Sequence, residues 1–258
     1  MNLIETKINE GVLTCEINRP TALNALNRQV LESIDNLIQA LNYEEVRCVI
    51  FKGSGDRAFV AGADVAEMAK MDKIEAREYS VFGSGVIDKV SRIAVPTIAS
   101  INGYALGGGC ELAMACDFRI CTTKSMLGQP ETTLGIIPGF GGTQRLSRLV
   151  GVSKAKELVF SGKRINASEA KEIGLVDIVC EEEELESTVN SFIKPMLLNA
   201  PIAIRMAKEA INHGLSMKIE DALLYEAAKF SETFATEDQI EGMTAFLEKR
   251  KHKDYKNR

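Results

Sequence analysis

Strand and helix patterns alternate over the first part of this chain, and after about residue 183 only helix patterns remain. Leu13, Cys15 and Ile17 alternate with polar residues, which is the period of a half-buried strand. Residues 48–51 form a short apolar run that is typical of a fully buried strand. The sequence therefore predicts an α/β core over residues 1–190 and an all-helical region over residues 191–258.

An apolar stripe marks the first predicted helix. Its members recur at spacings of three or four residues, as on one face of an amphipathic helix, and are Leu26, Val30, Ile34, Leu37 and Leu41. Further strands are predicted at residues 97–101, 118–121 and 176–179. Further helices are predicted at residues 76–93, 109–115, 142–150, 153–160, 168–173 (capped by Ser168), from Pro201 onward, and at 221–235.

Two glutamates lie in segments that are rich in glycine. Glu111 ends the segment 102–111 (NGYALGGGCE), and Glu131 lies in the segment 129–142 (QPETTLGIIPGFGG). Glycine lets main-chain N–H groups come close to a ligand, because no Cβ stands in the way. A carboxyl beside such groups can move protons on a substrate whose charge the N–H groups hold. The alternative is that both glutamates are exposed residues near turns.

Charge and composition exclude several classes of protein. The formal net charge of −5 argues against a dedicated surface for nucleic acids or anionic membranes. No apolar run approaches the roughly 20 residues that span a bilayer, and residues 1–7 lack the features of a targeting peptide. Six cysteines without a CxxC pair predict reduced, buried thiols. We therefore expect a cytoplasmic protein.

Other catalytic motifs fit the chain less well. Cys110 stands beside Glu111, but a thiol nucleophile needs a base, and His213 and His252 are far away in sequence. Residues 53–58 match the dinucleotide-binding pattern G-x-G-x-x-A, yet no helix is predicted to open there, so a turn is expected. No cluster of histidine and cysteine indicates a metal site.

Several segments together resemble the crotonase (enoyl-CoA hydratase/isomerase) superfamily. They are residues 60–64 (VAGAD), 102–111, 130–131 and 135–143, and the likeness extends from residue 18 to residue 250. The resemblance implies a spiral of repeated ββα units whose C-terminal helices pack at subunit contacts. Glu111 and Glu131 stand 20 positions apart (131 − 111), as in the true hydratases of the superfamily.

The resemblance also implies a role for each residue of the reacting centre. The N–H groups of Ala63 and Gly108 would form the oxyanion hole, and the positive end of the helix beginning near residue 109 would assist them. Glu111 would activate the water that adds at Cβ, and Glu131 would exchange the proton at Cα. Gly139 N–H would orient the water.

Contacts with the rest of the substrate are implied in the same way. The main chain around Ala61 would hold the adenine of CoA, and the bulk of Phe140 would favour short acyl groups such as crotonyl or 3-hydroxybutyryl. Phe246 and Lys249 would reach the CoA of a neighbouring subunit, although a solvated, frayed tail is the alternative. The remaining implied contacts are Gly62, Asp64, Met71 and Leu106.

The expected protein is therefore a hydratase that acts on acyl-CoA thioesters and assembles as a trimer or a dimer of trimers. It would need no cofactor, because the thioester itself stabilises the charge that develops and CoA enters as part of the substrate. The nearest rivals are a double-bond isomerase, which needs only one carboxyl, and another acyl-CoA-processing enzyme of the same superfamily. A binding protein without catalysis and an RNA-binding relative are the rivals from other classes.

Overall fold

The computed structural model describes residues 2–258, which form ten strands in two sheets and eleven α-helices. The larger sheet has six strands, which in spatial order are β1 (Ile4–Asn9), β2 (Val12–Ile17), β3 (Cys48–Gly53), β5 (Thr97–Ile101), β7 (Phe118–Thr122) and β10 (Ile178–Cys180). The smaller sheet has four, which are β4 (Ala58–Val60), β6 (Tyr104–Leu106), β8 (Met126–Gly128) and β9 (Arg164–Asn166).

Seven α-helices lie between the strands in the sequence, and four follow the last strand of the described residues. Those within the α/β part are α1 (Arg28–Gln39), α2 (Val65–Met68), α3 (Lys73–Ser91), α4 (Gly108–Ala115), α5 (Gly142–Val150), α6 (Val152–Ser161) and α7 (Ala167–Glu172). Those that follow the last strand of the described residues are α8 (Leu185–Leu197), α9 (Pro201–Gly214), α10 (Ile219–Thr233) and α11 (Glu237–Leu247). The predicted helical C-terminal part is thus confirmed.

The strands form a repeated unit in which consecutive strands enter different sheets. β3, β5 and β7 are parallel neighbours in the larger sheet, while β4, β6 and β8 are parallel neighbours in the smaller one. Helices follow each pair, namely α2 and α3 after β4, α4 after β6, and a 3₁₀ helix (Glu131–Leu134) with α5 after β8. This is a spiral of three ββα units, which confirms the predicted fold class.

The larger sheet is covered on both faces, which explains the continuous apolar run of β3. Val49 and Phe51 point into the main core with α1, α3 and α4, whereas Cys48 and Ile50 pack in a second cluster with Val189 of α8. The predicted region boundary at residue 190 falls inside α8. The division into two regions stays a prediction.

Two sequence-based assignments need correction. The strand predicted at residues 176–179 spans Ile178–Cys180, and Val176 N–H donates instead to Ala170 O of α7 at 3.1 Å. The helix predicted at 168–173 begins at Ala167, and its cap is Asn166, whose side chain accepts from Glu169 N–H at 2.9 Å, rather than Ser168.

The basic tail folds back on the chain rather than fraying. The N–H groups of Lys256 and Asn257 donate to the buried Asp238 carboxylate at 2.5 and 3.0 Å. Asn257 also donates through Nδ2 to Tyr43 O at 2.8 Å and accepts from Arg205 at 2.8 Å. The tail therefore connects α11 and α9 to the segment that follows α1.

Candidate active site

The glycine triplet at the start of α4 brings this helix directly onto the neighbouring sheet. Gly107 has φ +49°, a conformation in which a side chain is strained, and it forms the turn before α4. A Cβ on Gly109 would lie 2.0 Å from Val60 O, so only glycine allows this close approach. The arrangement places Gly108 as the first helical residue, whose N–H has no acceptor within the helix.

The two predicted oxyanion donors lie side by side. A Cβ placed on Gly108 would be 3.2 Å from Ala63 N. Ala63 forms a parallel bridge with Leu26 in which Leu26 N–H donates to Gly62 O at 2.8 Å and Asp64 N–H donates to Leu26 O at 2.9 Å. Because the bridge uses the groups on either side, the Ala63 N–H points away from Leu26, and it makes no hydrogen bond within residues 2–258. A pair of convergent donors can hold a developing oxyanion.

Glu111 lies in the first turn of α4 and exposes only 1% of its surface. Its Oε1 accepts from Phe140 N–H at 2.8 Å and from Gly142 N–H at 2.6 Å. Burial raises the pKa of Glu111 to about 7, although these two hydrogen bonds and the charge of Arg145 favour the ionised form. This carboxyl can therefore take up and release a proton near neutral pH.

Glu131 begins the 3₁₀ helix after β8, next to the turn before α4. A Cβ on Gly107 would lie 2.9 Å from Glu131 Oε1, so the carboxyl borders the loop that carries the oxyanion donors. Glu131 is 9% exposed, and its pKa is raised to about 7, first by burial and then by the negative charge of Glu111. The structure thus brings the two predicted glutamates close enough for the charge of one to act on the other.

Gln129 is a site residue that the sequence analysis missed. It is completely buried, and with its amide nitrogen facing Glu131 it donates to both carboxylate oxygens, at 2.8 and 3.0 Å. A Cβ on Gly142 would meet both the Gln129 amide, at 3.0 Å, and Glu111 Oε1, at 2.9 Å. Gln129 therefore lies between the two carboxyls. The available signal was an amide side chain directly after the apolar strand β8, two residues before Glu131.

The loop of residues 139–142 closes the site beside Glu111. Gly139 O accepts from Ser80 Oγ of α3 at 2.7 Å, and Gly139 N–H has no hydrogen-bond acceptor within residues 2–258. Phe140 is buried, and its ring packs against Tyr79 with centroids 5.4 Å apart. The unpaired N–H of Gly139 is available to orient a water molecule.

The other predicted substrate contacts have different surroundings. Asp64 is occupied locally, because its carboxylate pairs with Arg19 at 3.0 Å and accepts from Ala66 N–H at 3.1 Å as the cap of α2. Ala61 N–H donates to Leu23 O at 3.0 Å. Leu106 is buried at the end of β6, and Met71 is half-buried against the main core. Contact of these residues with a substrate stays a prediction.

Phe246 and Lys249 lie near the end of α11 rather than beside the glutamates. Phe246 is exposed and borders a surface depression formed entirely by α11 and the tail, together with Met243, Leu247 and Tyr255. Lys249 is exposed and has φ +58°. Their predicted role in a neighbouring subunit concerns surfaces that a single chain leaves open.

Two competing motifs find structural explanations. Burial raises the pKa of the Cys110 thiol to about 12, so the reactive thiolate is not formed at neutral pH. Residues 54–57 form a turn between β3 and β4, as predicted for this segment, and no helix opens there. Within residues 2–258, no group of three or more His, Cys, Asp or Glu side chains is placed to hold a metal ion. No helix of these residues is long and apolar enough to cross a bilayer.

Comparisons with known proteins agree with this geometry. The family model described as "Enoyl-CoA hydratase/isomerase" matches residues 7–258. A short-chain-enoyl-CoA hydratase of Clostridium acetobutylicum is 49% identical over 248 residues, which cover 96% of this chain and 95% of the relative. A crotonyl-CoA hydratase of Syntrophomonas wolfei is 49% identical over 243 residues, 94% of each chain.

A solved structure extends the comparison to three dimensions. The crystal structure of an enoyl-CoA hydratase from Bacillus anthracis superimposes with a TM-score of 0.95 at 42% identity, and the alignment covers 100% of both chains. Agreement over whole chains at this identity is more than a shared fold. The chain described here belongs to the enoyl-CoA hydratase/isomerase family.

Proposed function

We propose that this protein catalyses the reversible hydration of short-chain trans-2-enoyl-CoA thioesters to 3-hydroxyacyl-CoA. The observation that carries the proposal is the pair of buried carboxyls, Glu111 and Glu131, whose pKa values are both raised to about 7 beside two convergent N–H donors. The relatives named as short-chain-enoyl-CoA and crotonyl-CoA hydratases support the same substrate class.

The geometry suggests a role for each group in the reaction. Water adds through its oxygen to Cβ while Glu111 takes one of its protons. The electron pair of the double bond moves to form an enolate, whose thioester oxygen accepts from the N–H groups of Ala63 and Gly108. Glu131 gives its proton to Cα. The dehydration of 3-hydroxyacyl-CoA follows the same path in reverse, with the two carboxyls exchanging roles as acid and base.

The protonation states required for hydration agree with the electrostatics of the site. Glu111 accepts two main-chain hydrogen bonds and faces Arg145, which all favour its ionised form. Its negative charge in turn helps to raise the pKa of Glu131, which favours the protonated form there. Because both pKa values lie near 7, the pair can hold one proton near neutral pH, which is the total that hydration requires.

The same feature argues against the rival functions. An isomerase needs a single carboxyl to shuttle a proton, whereas here two carboxyls are buried close enough for the charge of one to act on the other. A protein that had lost catalysis has no reason to keep two buried acids with raised pKa values, since burying them opposes folding. We also propose that no cofactor is required, because the thioester supplies the electron sink and CoA arrives with the substrate.

The position of Phe140 supports a preference for short acyl groups. A Cβ on Gly83 of α3 would lie 2.2 Å from the Phe140 ring, and a Cβ on Gly108 would lie 3.3 Å from it. The ring thus fills the space between α3 and the oxyanion donor. An acyl chain that extends past Cβ toward α3 would have to displace this ring, so the pocket favours crotonyl-CoA and 3-hydroxybutyryl-CoA.

One assay tests both the activity and the chain-length assignment. Loss of the conjugated-thioester absorbance is followed with crotonyl-CoA and with successively longer enoyl-CoA substrates. We expect kcat/KM to be highest for crotonyl-CoA. In Phe140→Ala, kcat/KM for longer substrates should rise about 10-fold relative to kcat/KM for crotonyl-CoA, which is the usual effect of one or two methylenes in a pocket. Phe118→Ala, which removes an aromatic partner of Phe192 near α8, is the control. No absorbance loss with any substrate would refute the activity, and an unchanged profile in Phe140→Ala would refute only the pocket assignment.

We further propose that the protein is a homo-oligomer, as a trimer or a dimer of trimers. The helices after α8 leave large apolar side chains exposed, which a monomer seldom does over a continuous area. The most exposed of these on α9–α11 and their connections are Ile211, Leu215, Ile219, Leu224, Phe246 and Leu247. A second copy of this chain is the partner that would cover them.

The six free cysteines fit a reducing compartment, and we propose that the protein works in the cytoplasm.

In such an oligomer Lys249 would meet a CoA phosphate of the neighbouring subunit. We expect Lys249→Glu to raise KM for crotonyl-CoA more than it lowers kcat, and the effect to shrink with added salt, because an exposed charge contact is screened over about 8–10 Å. Lys251→Glu, two residues further along the tail, is the control. Solution mass measured at the assay concentration checks that both variants keep the wild-type assembly. A wild-type KM in Lys249→Glu would show that the charge of Lys249 does not contact CoA.

A further inference from the structure

The loop that donates both hydrogen bonds to Glu111 is itself held by side chains from two helices. Ser80 Oγ of α3 donates to Gly139 O at 2.7 Å, and Arg145 Nη1 of α5 donates to Phe140 O at 2.9 Å. The N–H groups of the same stretch, from Phe140 and Gly142, point to Glu111 Oε1. Neither Ser80 nor Arg145 belongs to the segments that the sequence analysis assigned to the site.

A single peptide group connects Ser80 to Glu111. The carbonyl of Gly139 and the N–H of Phe140 belong to one planar peptide and point in opposite directions. Ser80 holds the carbonyl end at 2.7 Å, and Glu111 accepts from the N–H end at 2.8 Å. Fixing one end therefore fixes the direction of the other. A hydrogen bond to the carbonyl also polarises the peptide and strengthens the N–H as a donor.

We propose that Ser80 is a positioning residue of the reaction, which fixes the Gly139–Phe140 peptide and through it the hydrogen bond that Glu111 accepts. The inference rests on the proposed function, because it assigns Ser80 to the water-activating carboxyl. Ser80 is half-buried on the side of α3 that faces the loop, and its hydroxyl makes this contact with the loop instead of bonding to a carbonyl of its own helix.

Several charged groups also act on Glu111, and none of them is changed by altering Ser80. Arg145 of α5 favours the ionised carboxyl, and Glu131 faces it from the 3₁₀ helix. Asp88 of α3 acts through Arg145, to which it pairs at 3.5 Å, and it also pairs with Arg92 at 2.7 Å. Removing the Ser80 hydroxyl deletes a neutral hydrogen bond only. Any change in the titration of Glu111 would then reflect the geometry and strength of the hydrogen bond that Phe140 N–H donates to it.

The test compares Ser80→Ala with Ser84→Ala. Ser84 lies one turn further along α3, is also half-buried, and donates to Val81 O of its own helix at 3.1 Å. Alanine suits a helix interior, so both variants keep α3. We expect Ser80→Ala to lower kcat for crotonyl-CoA hydration about 3- to 10-fold, with a smaller change in KM, as for loss of one neutral hydrogen bond. Ser84→Ala should match the wild type.

The pH dependence separates positioning from general damage. Weakening a hydrogen bond to the ionised form raises the pKa of Glu111, so the acid-side limb of the kcat profile should move to higher pH by about half a unit. Ser80→Thr keeps the hydroxyl and should restore the wild-type limb. A fall in kcat without movement of this limb would overturn the proposal, as would equal profiles for Ser80→Ala and Ser84→Ala.

A second measurement does not depend on turnover. In the Glu131→Gln background Glu111 titrates without its coupled partner, and ¹³C NMR of labelled glutamate carboxyls follows it directly. Ser80→Ala in this background should shift the titration to higher pH, and Ser84→Ala should not. If the wild type failed to hydrate crotonyl-CoA, the proposed function would be refuted, although Ser80→Ala would still shift the titration of Glu111. If the wild type hydrates crotonyl-CoA but Ser80→Ala does not shift the titration of Glu111, only the role of Ser80 is refuted.

Discussion

Glu111→Gln and Glu131→Gln should each lower kcat for crotonyl-CoA hydration by about 10²–10⁴-fold, the contribution usual for a positioned acid or base. Glutamine keeps the shape of the side chain, and in Glu111→Gln its carbonyl oxygen can still accept from the Phe140 and Gly142 N–H groups. The loss should therefore come from the missing proton exchange rather than from a collapsed site. A near wild-type rate in either variant would exclude the two-carboxyl mechanism.

The stability of the same variants gives an independent readout. The pKa values of Glu111 and Glu131 are raised to about 7 in the folded chain, whereas an unfolded glutamate titrates near 4.3. Between these values the folded state holds more protons than the unfolded state, so stability falls as the pH rises from about 4.3 to 7. Above pH 7 the wild type bears the full cost of burying ionised carboxylates.

Each glutamine variant should consequently have a higher Tm than the wild type at pH 8, and the difference should fade as the pH falls through 7 toward 5. Thermal unfolding at pH 8 and pH 5 measures this directly. Glu184→Gln, at an exposed position before α8, should show neither the loss of activity nor the gain in Tm. A variant that is inactive and less stable at pH 8 would indicate structural damage instead.

Gly108→Pro should lower kcat by about 10²–10³-fold, as expected for the loss of one oxyanion donor. Gly108 is the first residue of α4, a position where proline is well accepted because that N–H has no acceptor within the helix. The substitution therefore removes the donor while keeping the helix start. KM should change less than kcat, because the N–H acts mainly on charge that develops in the transition state.

Two controls isolate the donor from other effects of this change. Gly108→Ala adds the same Cβ, at 3.2 Å from Ala63 N and 3.3 Å from the Phe140 ring, but keeps the N–H, so it measures the steric part. Cys110→Ala removes the neighbouring thiol and should be nearly silent. If Gly108→Pro were no slower than Gly108→Ala, the oxyanion assignment would be wrong, and an inactive Cys110→Ala would restore the thiol as a candidate.

The sequence predicted β2, β3, β5, β7 and part of β10 in the larger sheet, and it missed β1 and the whole of the smaller sheet. β2, β3, β5 and β7 have five or six residues each, long enough for alternation or an apolar run to be visible. β4, β6, β8 and β9 have three residues each, which is too short for either pattern. The ββα repeat was therefore expected only from the resemblance, since its second strand carries no signal of its own.

In the site, too, residues within recognisable sequence segments could be predicted, whereas residues that act through contacts between elements could not. Glu111, Glu131 and the glycines beside them stand in recognisable segments, so their placement could be predicted. Gln129 and Ser80 could not, because their roles depend on contacts between elements, such as the 2.7 Å bond from α3 to Gly139 O. Asp64 shows the converse, since a residue inside a recognised segment proves to be committed to Arg19 and to the cap of α2.

Each of the three ββα units contributes residues to the proposed active site. The segment after β4 carries the Ala63 donor, and the segment after β6 carries Gly108 and Glu111. The segment after β8 carries Glu131 and the loop that supports Glu111. Each unit thus contributes at least one group to the same site, and the groups come from the segments that follow the strands of the smaller sheet. The catalytic groups of one ββα unit can therefore be exchanged separately, because a substitution in the segment after one strand leaves the strands and helices of the other two units unchanged.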